Sequence, residues 1–252
     1  DYHYEGCVVA NKNSLNDIIE NIRRGQRNKL NVLVNRYDGV NLPDNDCRIL
    51  IVDSLPICDN LSDRYEMECR EGSEVTILKQ VQKIEQGLGR SVRGEKDYSV
   101  IIIIGSDLIN FMMNHRTASY FSPQTRKQIV IANELVESLR QEIVDSADSC
   151  KNLLDLIGQS LKRDSNWKAY YQQEMDSMSE NEDNHHVYAI MEKEREYEYA
   201  AYNRNYEKAC TIVSEVINMC AGNPQEQAWY KQILARYKYF ISVIESIHIQ
   251  KM

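Results

Sequence analysis

Three side chains at helical spacing raise the question of chemistry: Gln86, Arg90 and Arg93, in the run Gln86-Gly87-Leu88-Gly89-Arg90-Ser91-Val92-Arg93. Offsets of i, i+4 and i+7 put an amide and two guanidinium groups on one helical face. Guanidinium forks match phosphate oxygens two at a time, so such a face suits a phosphate chain. A second polar segment, Asn35-Arg36-Tyr37-Asp38-Gly39-Val40-Asn41-Leu42-Pro43, follows the apolar triplet Val32-Leu33-Val34. That places Asn35, Arg36 and Asp38 at the carboxyl end of a strand, a usual place for ligand contacts in open α/β sheets. Plain alternatives stand beside both readings: a solvated arginine face, and a turn punctuated by Gly39 and Pro43. Gly87 and Gly89 add weight to the first segment. Glycine inside a helix costs about 1 kcal/mol relative to alanine, and small residues let a ligand or another backbone come close.

The elements that must hold these segments alternate strand and helix up to about residue 120. Cys7-Val8-Val9-Ala10 is a short apolar run. Ser14 is placed to cap a helix carrying Leu15, Ile18, Ile19 and Ile22, and Gly25 to end it. Val32 to Val34, Ile49 to Asp53 and Ser99 to Ile104 are the next strand candidates, with a helix over 74–93 carrying Val75, Leu78, Val81 and Ile84. Runs that are apolar throughout predict strands buried on both faces, as in a parallel sheet covered by helices. The polar stretch 60–72 reads as a loop.

After Phe121 the strand signals stop. Ser122-Pro123 starts a long helix through Ile131, Leu135, Leu139 and Ile143, and Ser165 caps a piece holding Trp167, Tyr170 and Tyr171. The acidic stretch 176–186 reads as a loop. Tyr199, Tyr202, Tyr206, Ala209, Val213, Val216 and Cys220 form one packing stripe, and Trp229, Ile233, Tyr237, Phe240, Ile244 and Ile247 the returning one. Ala221-Gly222-Asn223-Pro224 stops one helix and starts the next, so the two make an antiparallel hairpin. The fold class expected is α/β followed by all-α, divided into 1–121 and 122–252.

Composition narrows the function classes. The net charge of the 252-residue chain is −8, which argues against tight nonspecific nucleic-acid binding but leaves a local groove open. Its seven cysteines are scattered without a C-x-x-C pair, so zinc and iron–sulfur ligation are not expected. Scattered single thiols suggest a reducing, cytoplasmic setting. No signal peptide is visible, and Val100 to Ile104 is too short to span a bilayer, so no membrane partner is expected. A chain starting at Asp1 reads as a fragment of a longer protein.

Together the two polar segments resemble motifs V and VI of superfamily 2 helicases of the DinG and XPD type. Motif V there reads aromatic, acid, Gly, apolar, Asp, Leu, Pro; this chain has Tyr37, Asp38, Gly39, Val40, Asn41, Leu42 and Pro43. Motif VI reads Gln-x-x-Gly-Arg-x-x-Arg, matched in full by Gln86, Gly89, Arg90 and Arg93. The match spans about residues 6–110. It implies a second RecA-like lobe, a partial parallel sheet with flanking helices, incomplete at its N-terminus. ATP would lie between this lobe and an N-terminal RecA-like lobe that supplies the P-loop and the Mg2+-binding acid. The resemblance makes Arg90, Arg93 and Gln86 the catalytic group. It directs Asp38, Gly39, Asn41 and Gly89 to ATP, and Asn35 and Arg36 to DNA or RNA, with DNA favoured. Asn41 departs from the family's Asp and removes a negative charge from that site. The chain contains neither G-x-x-x-x-G-K-[ST] nor an acidic box, so alone it is expected not to hydrolyse ATP.

The alternative reading is a noncatalytic RecA-like and helical docking module for a protein partner, and the helical half could hold such a partner in either case. His185-His186 reads as exposed rather than metal-binding. His115 and Arg116, after the last strand, could touch nucleic acid. The tyrosines over 197–206 read as hairpin core, with base stacking the lesser alternative.

Overall fold

The computed structural model of the chain describes residues 6–11, 13–26, 29–37, 40–42, 44–57, 60–91, 98–141, 146–178 and 185–251. In chain order the elements are β1 (Cys7–Ala10), α1 (Leu15–Arg23), β2 (Leu30–Leu33), a 3-10 turn (Asp44–Asp46), β3 (Ile49–Asp53), α2 (Leu61–Cys69), α3 (Glu74–Leu88) and β4 (Val100–Ile104). Helices alone follow: α4 (Ser106–Met113), α5 (His115–Ala118), α6 (Pro123–Gln141), α7 (Ser146–Leu161), α8 (Ser165–Asp176), α9 (His185–Tyr202), α10 (Tyr206–Met219), α11 (Pro224–Lys238) and α12 (Val243–Gln250). By contacts the chain forms two compact units, 1–57 with 80–181 and 58–79 with 182–252. The sequence boundary at 121/122 follows element type instead; α6 to α8 belong by contact to the unit that holds the strands.

In the first unit the strands pair parallel, β1 with β2 (Cys7 opposite Leu30) and β3 with β4 (Ile49 opposite Val100). Parallel neighbours need a crossover segment; α1 supplies it between β1 and β2. The α/β reading with parallel strands holds. Burial of both strand faces does not. Ile49 and Ile51 are 46% and 44% exposed while Val52 is 7% exposed, because period-two alternation puts the first two on one uncovered face of a two-stranded pair. The core here joins Ile18 and Ile22 of α1 to Val40 and Leu42, with Val8, Ala10 and Leu33 of the strands against them. Each such side chain withdrawn from water contributes about 1.5–3 kcal/mol. Ser14 does not cap α1 with its side chain; instead the Asn11 carboxamide oxygen accepts from the N–H groups of Asn13 and Ser14. Ser122 begins α6 as expected, its hydroxyl accepting from Thr125 N–H at 3.3 Å. Asp164, not Ser165, caps α8.

The second unit corrects two expectations. The stretch read as a loop contains α2, because Asn60 caps it, accepting from Asp63 N–H at 2.7 Å, and Arg64 pairs with Glu68 one turn on. The two long stripes are four helices. Arg204 sits at φ 58° and Asn205 caps α10 through Lys208 N–H, which breaks the first stripe after Tyr202. Ser242 caps α12 through Glu245 N–H and breaks the second. The turn at Gly222 (φ 101°) and Asn223, leading into Pro224, is where the sequence put it. The core reading holds for Ala209, Val213 and Val216, all fully buried, and for Tyr197, but Tyr199 and Tyr202 stand 70% and 86% exposed.

Arg70, the residue after α2, is the centre of this unit. It is 1% exposed and its guanidinium donates to Glu226 of α11, to Glu66 of its own helix at 2.7 Å, to Glu194 of α9 at 3.2 Å and to the Tyr230 hydroxyl at 2.7 Å. Burial works against its charge and the surrounding carboxylates outweigh it, so its pKa is raised. Nothing in the local pattern marked Arg70; a lone arginine after a polar stretch reads as surface.

Candidate functional site

The site is built where residues 35–37 and 40–42 lie along the C-terminal end of α3, within the first unit. β2 ends at Leu33, and the chain turns at Asn35, which takes φ 51°, a conformation asparagine tolerates better than most residues. The Asn35 carboxamide donates to the Ile57 carbonyl at 3.0 Å, and Lys83 of α3 donates to the same carbonyl at 2.9 Å. The loop after β3 is thereby tied to the first polar segment and to the middle of α3.

Tyr37 comes next. Its hydroxyl donates to the Ser54 carbonyl at 3.4 Å, and Lys83 Nζ lies 5.9 Å from its ring centre. Burial, and then the charges of Asp107 and Asp53, raise the Tyr37 pKa. Its ring presses on Gly87: a Cβ at that position would lie 2.5 Å from Tyr37 Cδ1. The small residue expected to admit a ligand or a backbone therefore admits an aromatic ring of the other polar segment. Gly89 differs. Among the described residues a Cβ there would meet only helix carbonyls at 3.4 Å or more, and the residue is exposed.

Arg90 closes the arrangement. Its guanidinium donates to the carbonyls of Val40, at 2.6 Å, and Tyr37, and its own carbonyl accepts from Leu42 N–H at 3.2 Å. One of the two guanidiniums expected to face a phosphate chain is thus engaged inside the lobe on backbone oxygens 50 residues and more away in sequence. The physical reason is local: carbonyls in a non-repeating segment need donors, and Arg90 sits two residues past the end of α3, where its fork reaches two of them. Gln86, one turn earlier, is exposed. Asn41 donates nothing to this lock through its side chain. Its carboxamide oxygen is buried without a hydrogen-bond partner among the described residues, and its backbone carbonyl accepts from Arg23 at 3.3 Å. Arg36 is exposed beside Asn35. Asp38, Gly39 and Arg93 lie outside the described residues.

The carboxyl ends of β3 and β4 complete the setting with residues that sequence reading passed over. Asp107, in the first turn of α4, accepts from Leu55 N–H at 2.9 Å, and its backbone donors, Leu55 and then Leu108, lower its pKa. Gly105, at φ 90°, approaches Ser54 so closely that a Cβ would lie 2.8 Å from Ser54 N. The available signal was the Gly-Ser-Asp triplet directly after an apolar strand. His115 and Arg116 fall in α5, both exposed. No group of three His, Cys, Asp or Glu among the described residues has the geometry for a metal ion. No helix among them is long and apolar enough to cross a membrane.

The arrangement makes the two polar segments one mechanical piece, fastened at Tyr37, Val40 and Leu42. A ligand that moved the end of α3 would move the strand-end loop with it. Residues 3–126 match the family model described as the helicase C-terminal domain. Neither a curated protein nor a solved structure gives a match to the chain.

Proposed function

We propose, on the premise that residues 3–126 belong to the helicase C-terminal domain family of DinG/XPD-type superfamily 2 helicases, that this chain is the second motor lobe of an ATP-dependent nucleic-acid translocase. The observation that carries the reading is the fastening of residues 35–37 and 40–42 to the end of α3 by Arg90 and Tyr37. In a two-lobe motor the nucleotide-sensing helix and the nucleic-acid loop must move together, and this lock couples them.

The residues then divide the work. Arg93 is the arginine that reaches the γ-phosphate, a contribution of about 10³–10⁵ in rate when a guanidinium meets the developing charge. Arg90 is a positioning residue that acts through the Tyr37 and Val40 carbonyls. Gln86, exposed one turn before it, and the exposed Gly89 face the nucleotide. The resemblance directs Asp38, Gly39 and Asn41 to the same nucleotide. Asn35 and Arg36 face the nucleic-acid backbone, DNA in preference to RNA. ATP and Mg2+ would be held mainly by the phosphate loop and acid of the first lobe.

Two measurements test this. The chain by itself turns over no ATP, and joined to a first lobe it shows nucleic-acid-stimulated ATPase that Arg93→Ala lowers at least a thousandfold at unchanged thermal midpoint. Turnover by the isolated chain, or an Arg93→Ala motor as fast as its parent, overturns the assignment.

A further inference from the structure

The second unit carries a groove of about 1000 Å³ between α11 and α12. We infer that this groove is a second binding site for single-stranded nucleic acid, with Lys231 and Arg236 on the phosphate chain and Tyr239 and Phe240 stacking on bases.

Charge carries the argument first. The chain as a whole is −8, yet the stretch 224–251 holds Lys231, Arg236, Lys238 and Lys251 against Glu226 and Glu245 only. Both of those carboxylates are already matched, Glu226 by buried Arg70 and Glu245 by Lys238 at 2.7 Å. What remains to meet a ligand is cationic, and no Asp or Glu lines the groove among the described residues. A polyanion fits such a surface, and the acidic remainder of the chain confines it there.

The aromatic groups narrow the class of polyanion. Tyr239 and Phe240 line the groove and are each 59% exposed, although α11 and α12 bury Tyr230, Ala235 and Tyr237 beside them. Phe240 is held on one face by Tyr206, with ring centres 4.4 Å apart and planes at 11°. A ring stacked on one neighbour and still 59% exposed can serve as a stacking platform, and the Tyr239 ring lies 5.9 Å from it with the planes at 85°. Cations beside exposed rings are how sequence-tolerant single-strand sites are made. Gln232 and Gln250 add amides that bond sugar or base edges. An acidic peptide would use the cations but leave the rings without a role. The choice of nucleic acid rests on the helicase reading above.

The test is fluorescence anisotropy of the 252-residue chain with a labelled oligothymidylate of about 16 nucleotides, from about 50 to about 200 mM salt. Lys231→Gln should weaken binding and make the slope of log affinity against log salt shallower by about 0.7. Tyr239→Ala should weaken binding about fivefold or more with little change in slope. Both should keep the parent's circular dichroism spectrum and midpoint. Should either variant lose its fold, Arg236→Gln and Tyr239→Leu replace them. Arg36→Ala is run alongside. Loss confined to Arg36→Ala overturns the groove and leaves the motor reading standing. Loss confined to the groove variants upholds the groove and removes the contact assigned to Arg36. A parent chain that binds no oligonucleotide, or is displaced equally well by polyglutamate with Tyr239→Ala unchanged, overturns the groove, while the Arg93→Ala test decides the motor reading independently.

Discussion

Replacing Arg90 by lysine separates two roles that its place in the sequence cannot distinguish. The guanidinium donates to the carbonyls of Val40 and Tyr37 together. Lysine keeps the charge and has no planar fork, so it serves one carbonyl at best. Hydrogen bonds to a charged group contribute about 1.5–3 kcal/mol each. Losing one gives about that much destabilisation for Arg90→Lys, and losing both about 3–6 kcal/mol for Arg90→Ala. For a chain of this size 1 kcal/mol moves the midpoint by about 2–4 °C, so Arg90→Lys should melt roughly 3–12 °C below the parent. Thermal melts of the 252-residue chain followed by near-ultraviolet dichroism read the loss directly, because Tyr37 is half-buried at the lock. A pure phosphate-facing arginine predicts the opposite pattern: an unchanged midpoint, with the whole effect in the ATPase of the proposed two-lobe motor. Arg90→Lys melting with its parent refutes the strut.

Further outcomes follow from the same geometry. Gly87→Ala must push the Tyr37 ring aside and should destabilise the first unit by about 1–3 kcal/mol, while Gly89→Ala, with no crowding, should leave the midpoint unchanged or slightly raised; urea titrations distinguish them, and ATPase lost in Gly89→Ala at normal stability marks nucleotide approach. Arg70→Met leaves Glu226 and Glu194 facing each other without their cation and should cost about 3–5 kcal/mol, partly recovered by adding Glu226→Gln, as equilibrium denaturation would show. Burial pushes the Glu66 carboxyl up, but Lys79 and Arg70 outweigh it and hold its pKa below the ordinary 4.5. Its contribution is therefore complete above pH 4.5 and lost as pH falls through the lowered folded value. A pH series of denaturation midpoints should fall there, and Glu66→Gln should flatten that fall.

How much of this was legible in advance depends on the range of the information. Strands β1, β3 and β4, helix α1 and the turn into α11 came from apolar runs, helical spacing and glycine or proline signals, all contained in a dozen consecutive residues. The polar segments at 35–43 and 86–93 were visible for the same reason: a motif is a local arrangement of residue types. Helix α2 was missed because its stability comes from an Asn60 cap and an ion pair on a helix with no buried apolar residue, so the periodicity that betrays most helices is absent. The stripes of the helical half read as continuous because their spacing runs across the breaks, whereas the N-caps Asn205 and Ser242 each start a new helix regardless of the pattern.

Residue types and their order therefore determined which segments carry chemistry and which become strand or helix, since propensity, capping and amphipathic period act between near neighbours. Tertiary structure alone decided what each polar group faces. Gly87 is small for a tyrosine 50 residues earlier, Arg90 bonds carbonyls from that same segment, and Arg70 gathers carboxylates from two helices more than 120 residues later. A charged or small side chain is compatible with solvent, ligand or a distant part of its own chain. Only the packing of remote segments selects among them, because the desolvation and hydrogen-bond energies involved depend on which groups arrive beside it.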